Sequence, residues 1–249
     1  MTIAASDLKF YAAANMPEDD TGTVGGAIDA LRQVIFTQLA ANDDIEVVSS
    51  SAGDTTQVVT VYGRDAGGAY VSANATLNGT TAVVLSPATT FERVLRVEMD
   101  ATAAGIVTVR RAPAAGDIYA IPIGERGVWA LFSKSASDPS ATKTRYMKVF
   151  CKNTHGSLTL TAAKMDLTAD PDSRIKFGLA ATKDDSATAT NRLTAPGGVT
   201  FFDDNNPQNV PGTTLEAAAA IGVWVEQALT TGDSPHRTTF TLKASGESV

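Results

Sequence analysis

The side chains in this sequence that are able to do chemistry are few, and their spacing does not suit catalysis. There are two histidines, His155 in the turn Asn153-Thr154-His155-Gly156 and His236 after Ser234-Pro235, and one cysteine, Cys151. Both histidines sit among turn formers, which predicts solvent-exposed loop positions. Serine hydrolysis needs a nucleophile on a strained elbow, a base and a group that orients it, and the chain has no G-x-S-x-G segment. One thiol and two distant imidazoles do not make a zinc set. Oxygen donors for a hard cation come closer, with Asp203-Asp204-Asn205-Asn206 and Asp170-Pro171-Asp172. Neither has EF-hand spacing, and Asp and Asn form turns in their own right, so both are expected to be plain loops. Gly124-Glu125-Arg126-Gly127 lacks both the P-loop lysine and the dinucleotide glycine spacing. The residues therefore predict no catalytic, cofactor-binding or metal-binding site, and not an enzyme.

Composition narrows the partners. With 27 acidic against 20 basic residues and a net charge of −7, a broad electrostatic footprint on nucleic acid or anionic lipid is not expected. Aromatic residues make up 6% of the chain, which argues against a stacking platform for carbohydrate. Cys151 alternates with Met147 and Val149, as expected of a core thiol, and a single cysteine is compatible with a reducing compartment. Residues 1–10 do not follow the basic-then-apolar pattern of a secretory signal, and no apolar run approaches the roughly 18 residues of a membrane span. The expectation is synthesis in the cytoplasm, so Asn74-Ala75-Thr76 and Asn78-Gly79-Thr80 are expected to be strand and turn rather than glycosylation sites.

The elements that must carry these residues are β-strands. Charged residues make up 19% of the chain, alternating apolar runs are short, and turn formers divide them. Strands are expected at 45–48, 57–62, 69–77, 83–84, 91–99 and 106–110. Within the 91–99 strand, Leu95, Val97 and Met99 alternate with Arg96 and Glu98, the pattern of a sheet with one wet face. Asn78-Gly79 is the strongest hairpin signal. Ala112-Pro113-Ala114-Ala115-Gly116 resembles a linker, and strands resume at 117–123, 127–133, 145–160 around the His155 turn, 175–179, 199–202, 222–227 and 238–243. Residues 215–220 suit a helix start by composition, while Val223-Trp224-Val225 suits a strand. Ile28, Leu31, Ile35 and Leu39 have near-helical spacing, yet Val34-Ile35-Phe36-Thr37 is β-branched and aromatic, which leaves strand and short helix both open. The expected fold is all-β, with two β-sandwich or small-barrel domains: 1–44 an N-terminal arm and first strand, 45–112 an inserted β domain, and 117–249 a β-sandwich.

Partner contacts are expected from apolar residues left outside these cores. Leu8, Phe10 and Tyr11 suit either an arm that docks on a neighbouring subunit or an ordinary first strand. Removal of residues 1–26 is then expected to abolish attachment without unfolding the β domains. Phe201 and Phe202 are adjacent and point to opposite faces if extended, one to a core and the other to an interface.

Two segments resemble structural proteins of tailed-bacteriophage virions: Asp7-Leu8-Lys9-Phe10-Tyr11 with Gly25-Gly26-Ala27-Ile28, and Tyr146 to Leu160. Ala195-Pro196-Gly197-Gly198-Val199-Thr200-Phe201 and Gly222-Val223-Trp224-Val225 fit the same pattern. The resemblance covers the N-terminus and most of the second half, and 45–111 is its least covered part. It implies a capsid decoration or cement protein on the outer capsid surface of the virion, bridging and stabilising the major capsid protein and copies of itself, as a monomer or homotrimer. No nucleic acid and no membrane enters that role. A tail, neck or baseplate protein is the structural alternative, and a carbohydrate-binding module for host attachment is the alternative from another class.

Overall fold

The structure is a computed structural model that describes residues 2–34, 37–39, 41–87, 89–132, 138–170, 173–233 and 239–248. Its strands in chain order are β1 (Leu8–Asn15), β2 (Val24–Gln33), β3 (Ile45–Ser49), β4 (Val58–Arg64), β5 (Tyr70–Thr76), β6 (Val83–Val84), β7 (Arg93–Met99), β8 (Val107–Arg111), β9 (Ala115–Ile121), β10 (Gly127–Trp129), β11 (Lys143–Asn153), β12 (Leu160–Ala169), β13 (Ile175–Lys183), β14 (Thr188–Ala189), β15 (Gln208–Asn209), β16 (Thr214–Leu215), β17 (Ala220–Leu229) and β18 (Thr241–Ser248). The fold is all-β with sandwich-like sheets. Among the described residues, no helix is long and apolar enough to cross a membrane.

Two compact units divide the chain: residues 1–29 with 134–249, and 30–133 inserted between them. The boundary lies beyond the expected linker at 112–116, because those residues form the turn between β8 and β9, which pair antiparallel from Val107↔Ile121 to Arg111↔Ala115. The Ala114 amide donates to the Glu46 carboxylate at 2.9 Å, tying that turn to its own sheet.

In the first unit, one sheet runs β13-β17-β11-β1-β2, with β14 on β2. Its centre is β11, paired with β17 over ten residues from Lys143↔Leu229 to Lys152↔Ala220. Seven consecutive residues of β11, Arg145 to Cys151, are buried, so both faces of this strand are covered. One face presents Met147, Val149 and Cys151; the other presents Tyr146, Lys148 and Phe150. The second sheet is built on β12, whose Ala163, Met165 and Leu167 are buried while Lys164, Asp166 and Thr168 point outward. It pairs β18 and, separately, β15 and β16.

Two turns predicted from the sequence are present but join different partners. The chain leaves β11 at Asn153 and enters β12 at Leu160, yet those strands belong to separate sheets, so the His155 turn carries the chain across rather than closing a hairpin. Asn153 holds the crossing, donating its amide to the carbonyls of Leu158 (2.9 Å) and Leu215 (3.0 Å). Asn78-Gly79 likewise separates β5 from β6, which pairs with β3 in the opposite sheet.

The inserted unit has a sheet in which the end of β2 is followed by β10-β7-β4-β5, and a second sheet β6-β3-β8-β9. An apolar cluster fills it, including Val47, Val59, Val61, Phe91, Val97 and Val109. On β4 the alternation is plain: Val59, Val61 and Gly63 are buried and Thr60, Tyr62 and Arg64 point away. The segment left open between strand and helix resolves at its start as β2; Ile35 and Phe36 lie outside the described residues. No helix starts at 215–220, where β16 ends and a turn leads into β17.

Candidate interaction surface

The residues expected to dock on a partner are largely used inside the chain. β1 is an interior strand, with Leu8↔Asn153, Phe10↔Cys151 and Tyr11↔Phe150 paired along β11. Phe10 is 8% exposed and Tyr11 5%, so the docking arm is corrected to a core strand, with Leu8 half-buried at its start. Cutting away residues 1–26 removes a sheet neighbour of β11, so attachment and folding are not separable by that deletion. Phe202 exchanges two backbone hydrogen bonds with Phe177 (3.0 and 2.8 Å), and their rings lie 6.2 Å apart. The Phe201 ring packs on Tyr146 at 5.4 Å. The two phenylalanines thus take different neighbours, as adjacent extended residues must, and each is half-buried against this chain.

Several of the described residues with catalytic or ligating side chains make contacts within the chain. The His155 Nδ1 accepts from the amides of Ser157 (3.2 Å) and Leu158 (3.0 Å), so the imidazole closes its own turn. His236, Pro171 and Asp172 lie outside the described residues. Asp170 accepts from the Ile175 amide at 2.8 Å, and Asp203 pairs with Lys176 at 3.2 Å. Among the described residues, no three His, Cys, Asp or Glu side chains converge on a metal position. Cys151 is fully buried, and burial pushes its thiol up to about 12.

Sequence reasoning missed two buried charge centres in the first unit. Lys148 has no exposed surface; its ammonium contacts the Asp185 carboxylate (2.5 Å) and the carbonyls of Gly26 (3.1 Å), Asp185 (3.2 Å) and Ala187 (3.2 Å). Phe150 and Trp224 flank it, with ring centroids 4.8 and 5.5 Å from Nζ. Burial pulls the lysine below its usual range against the opposing pull of Asp185. Burial acts to raise Asp185, but the hydrogen bond and charge of Lys148, with the Ala187 and Ser186 amides, hold it below the usual carboxylate value. Three N–H donors shared among four oxygens leave no direction in which this amine meets a substrate. It ties β2 and the 184–189 segment onto the sheet. Gly222 makes room for it, since a Cβ there would stand 2.8 Å from the Lys148 Cε.

The second centre is Asp20, in the acidic stretch that joins β1 to β2. Arg145 forks onto it at 2.7 and 2.9 Å, and the fully buried Arg192 approaches at 3.9 Å while donating to the Glu18 carbonyl at 2.9 Å. The Arg145 hydrogen bond, against burial and aided by Arg192, holds Asp20 below the usual carboxylate range.

The outward face of the inserted unit's β2-β10-β7-β4-β5 sheet is chemically different. Register puts Trp129 opposite Arg96, Arg96 opposite Tyr62, and Tyr70 opposite Arg64. The Arg96 guanidinium lies 4.0 Å from the Tyr62 ring centroid and 5.6 Å from that of Trp129, with Arg32 over the other part of the strip at 5.7 Å from Trp129. Tyr62 and Tyr70 stack at 6.4 Å, and Tyr70 is 46% exposed. Glu98 accepts from the Trp129 indole at 3.2 Å and lies 3.7 and 3.8 Å from Arg32 and Arg96. Arg32, Trp129, Arg96, Tyr62 and Tyr70 thus form a ladder of alternating cations and rings that crosses all the strands of this sheet. Tryptophan, tyrosine and arginine are the residue types in which interface binding energy concentrates.

A signal of the ladder was present in the sequence. Every basic residue from 30 to 133 is an arginine, whereas lysines are confined to the other unit. Arginine keeps a planar fork that stacks on rings and is enriched at interfaces, where lysine is depleted. Comparison with models of known protein families, with curated proteins and with solved structures finds no match to this chain.

Proposed function

We propose that this chain is a non-enzymatic structural protein of a tailed-bacteriophage virion, a capsid decoration protein that bridges neighbouring major capsid subunits. The observation that carries the reading is the ladder: the half-buried arginines and rings of the inserted unit lie on the face of its sheet that points away from its apolar cluster, with Tyr70 exposed at the edge, while the buried Lys148, Arg145 and Arg192 of the other unit hold loops. The resemblance of residues 7–11, 25–28 and 146–160 to virion proteins supports the virion as the place. A surface of this kind suits a protein that works by contact. A standard interface buries about 1,600 Å² in total, and many weaker contacts repeated over a symmetric shell sum to firm attachment.

Immunogold electron microscopy of phage particles with antibody to this protein tests the reading. Dense label over heads is the expected result. Label confined to tails or necks replaces decoration with the tail alternative, and no label on intact or permeabilised particles removes the virion role.

A further inference from the structure

We propose that the outer edge of β18 pairs with the same strand of a second copy of this chain, antiparallel about Ser245, making the protein a two-fold dimer. The inference goes beyond the virion reading and stands on the first unit alone. β18 is eight residues long and pairs with β12 along one side. Among the described residues, no strand, isolated bridge or loop backbone meets its other side. The other long strands at sheet ends are each met there by another segment. Asn74 of β5 exchanges backbone hydrogen bonds with Ser86 (2.9 and 2.8 Å), Phe177 of β13 does so with Phe202, and the Ile118 carbonyl of β9 accepts from the Thr37 amide at 3.0 Å. An uncovered edge as long as β18 presents a row of amides and carbonyls that an added strand satisfies.

The side chains select the occupant. Register sets Ser245 opposite Lys164 and Lys243 opposite Asp166, so Thr241, Lys243, Ser245 and Glu247 share the outward face of this sheet. Lys243 and Glu247 are exposed and enter no ion pair among the described residues, and the Asp166 carboxylate accepts from the Asn206 amide at 3.1 Å. A lysine alone on an edge blunts it. Here a glutamate follows four residues later on the same face, and antiparallel pairing about Ser245 sets each Lys243 opposite Glu247 of the other copy, twice by symmetry. Parallel pairing in matched register sets lysine on lysine instead. β15 and β16 lie along the far side of β12, so the joined sheet closes at two copies. One strand pairing falls short of the roughly 1,600 Å² of a standard interface, so the dimer is expected to be weak.

The test is sedimentation velocity of the purified full chain over a concentration series. The wild type is expected to pass from monomer to dimer as concentration rises. Glu247→Lys lies opposite Thr161 within its own chain, so it gains no charged cross-strand neighbour there, and it is expected to weaken the dimer about tenfold. Lys243→Glu is expected to do the same, since either change sets like charges opposite each other in both halves of the pair. An equal mixture of the two variants is expected to dimerise as the wild type does, because every lysine then meets a glutamate, a recovery that misfolded variants do not give. A wild type that stays monomeric overturns the proposal and leaves the edge to a strand of a different protein, and a trimer overturns the two-fold pairing. Variants that dimerise like the wild type, or a mixture no stronger than either variant alone, overturn the assignment to this edge. Immunogold labelling answers the virion reading separately, so either idea fails without the other.

Discussion

Lys148 and Arg96 are both cations set against aromatic rings on a β-sheet, one in each unit, and their surroundings send them to different tasks. Lys148 lies beside Phe150 and Trp224 with no exposed surface, its charge met by a carboxylate and three carbonyls. Arg96 lies over Tyr62 and beside Trp129 with its side chain 24% exposed. The compact ammonium suits a nest of oxygens closed from every side, and the flat guanidinium suits a ring face with one edge left in water. A cation beside rings is therefore a sign of neither function nor scaffold until its solvent access is known.

The largest effect is expected from removing the buried charge. Lys148→Met takes the ammonium away from the Asp185 carboxylate and the Gly26 and Ala187 carbonyls and is expected to cost about 3–5 kcal/mol in denaturant unfolding. Adding Asp185→Asn to it should recover part of that loss, and strict additivity of the two would show that the pair is not coupled. Gly222→Ala places a methyl 2.8 Å from the Lys148 Cε and 3.2 Å from the Ala180 Cβ, with an expected cost of about 1–3 kcal/mol.

Acid sharpens the same contrast. Asp20 and Asp185 have folded values below the 3.8 of an unperturbed aspartate, so their contribution is fully present above that value and is lost as pH falls through the lower folded values. The Tm should therefore decline below about pH 4, and Asp185→Asn should flatten that decline. A Tm profile of the variant that parallels the wild type would remove Asp185 from the account. Arg96→Gln, the smallest in stability, is expected to cost about 1 kcal/mol, because a cation–π contact with access to water contributes little to folding. A loss comparable to that of Lys148→Met would make the ladder scaffold rather than surface.

Many strand positions were legible because alternation of small apolar and polar residues is a local signal; the expected strand at 199–202 is instead a single bridge at Phe202, and β12 beyond Leu160 was not foreseen. Val59, Val61 and Tyr62 on β4, or Met147, Val149 and Cys151 on β11, announce their faces from spacing alone. The pairing of those strands was not legible. Asn78-Gly79 and Asn153-Thr154-His155-Gly156 are true turn sequences, but turn chemistry fixes a change of direction and leaves open whether the chain returns beside its own strand or crosses to a facing sheet. The same limit misplaced Phe10 and Tyr11: an apolar first strand has the same pattern at an edge, in an arm or in the middle of a sheet.

The sequence by itself determined an all-β chain with short strands, a buried thiol and no local catalytic spacing, since these follow from residue types and periodicities within a few positions. Only the tertiary structure decided which charges are pins and which are surface. Lys148 and Asp185 stand 37 residues apart, as Arg145 and Asp20 stand 125 apart, and Arg32, Tyr62, Arg96 and Trp129 come from four separate strands. A charge's role depends on the oxygens, rings and water within a few ångströms of it, and in a sandwich those neighbours arrive from distant parts of the chain.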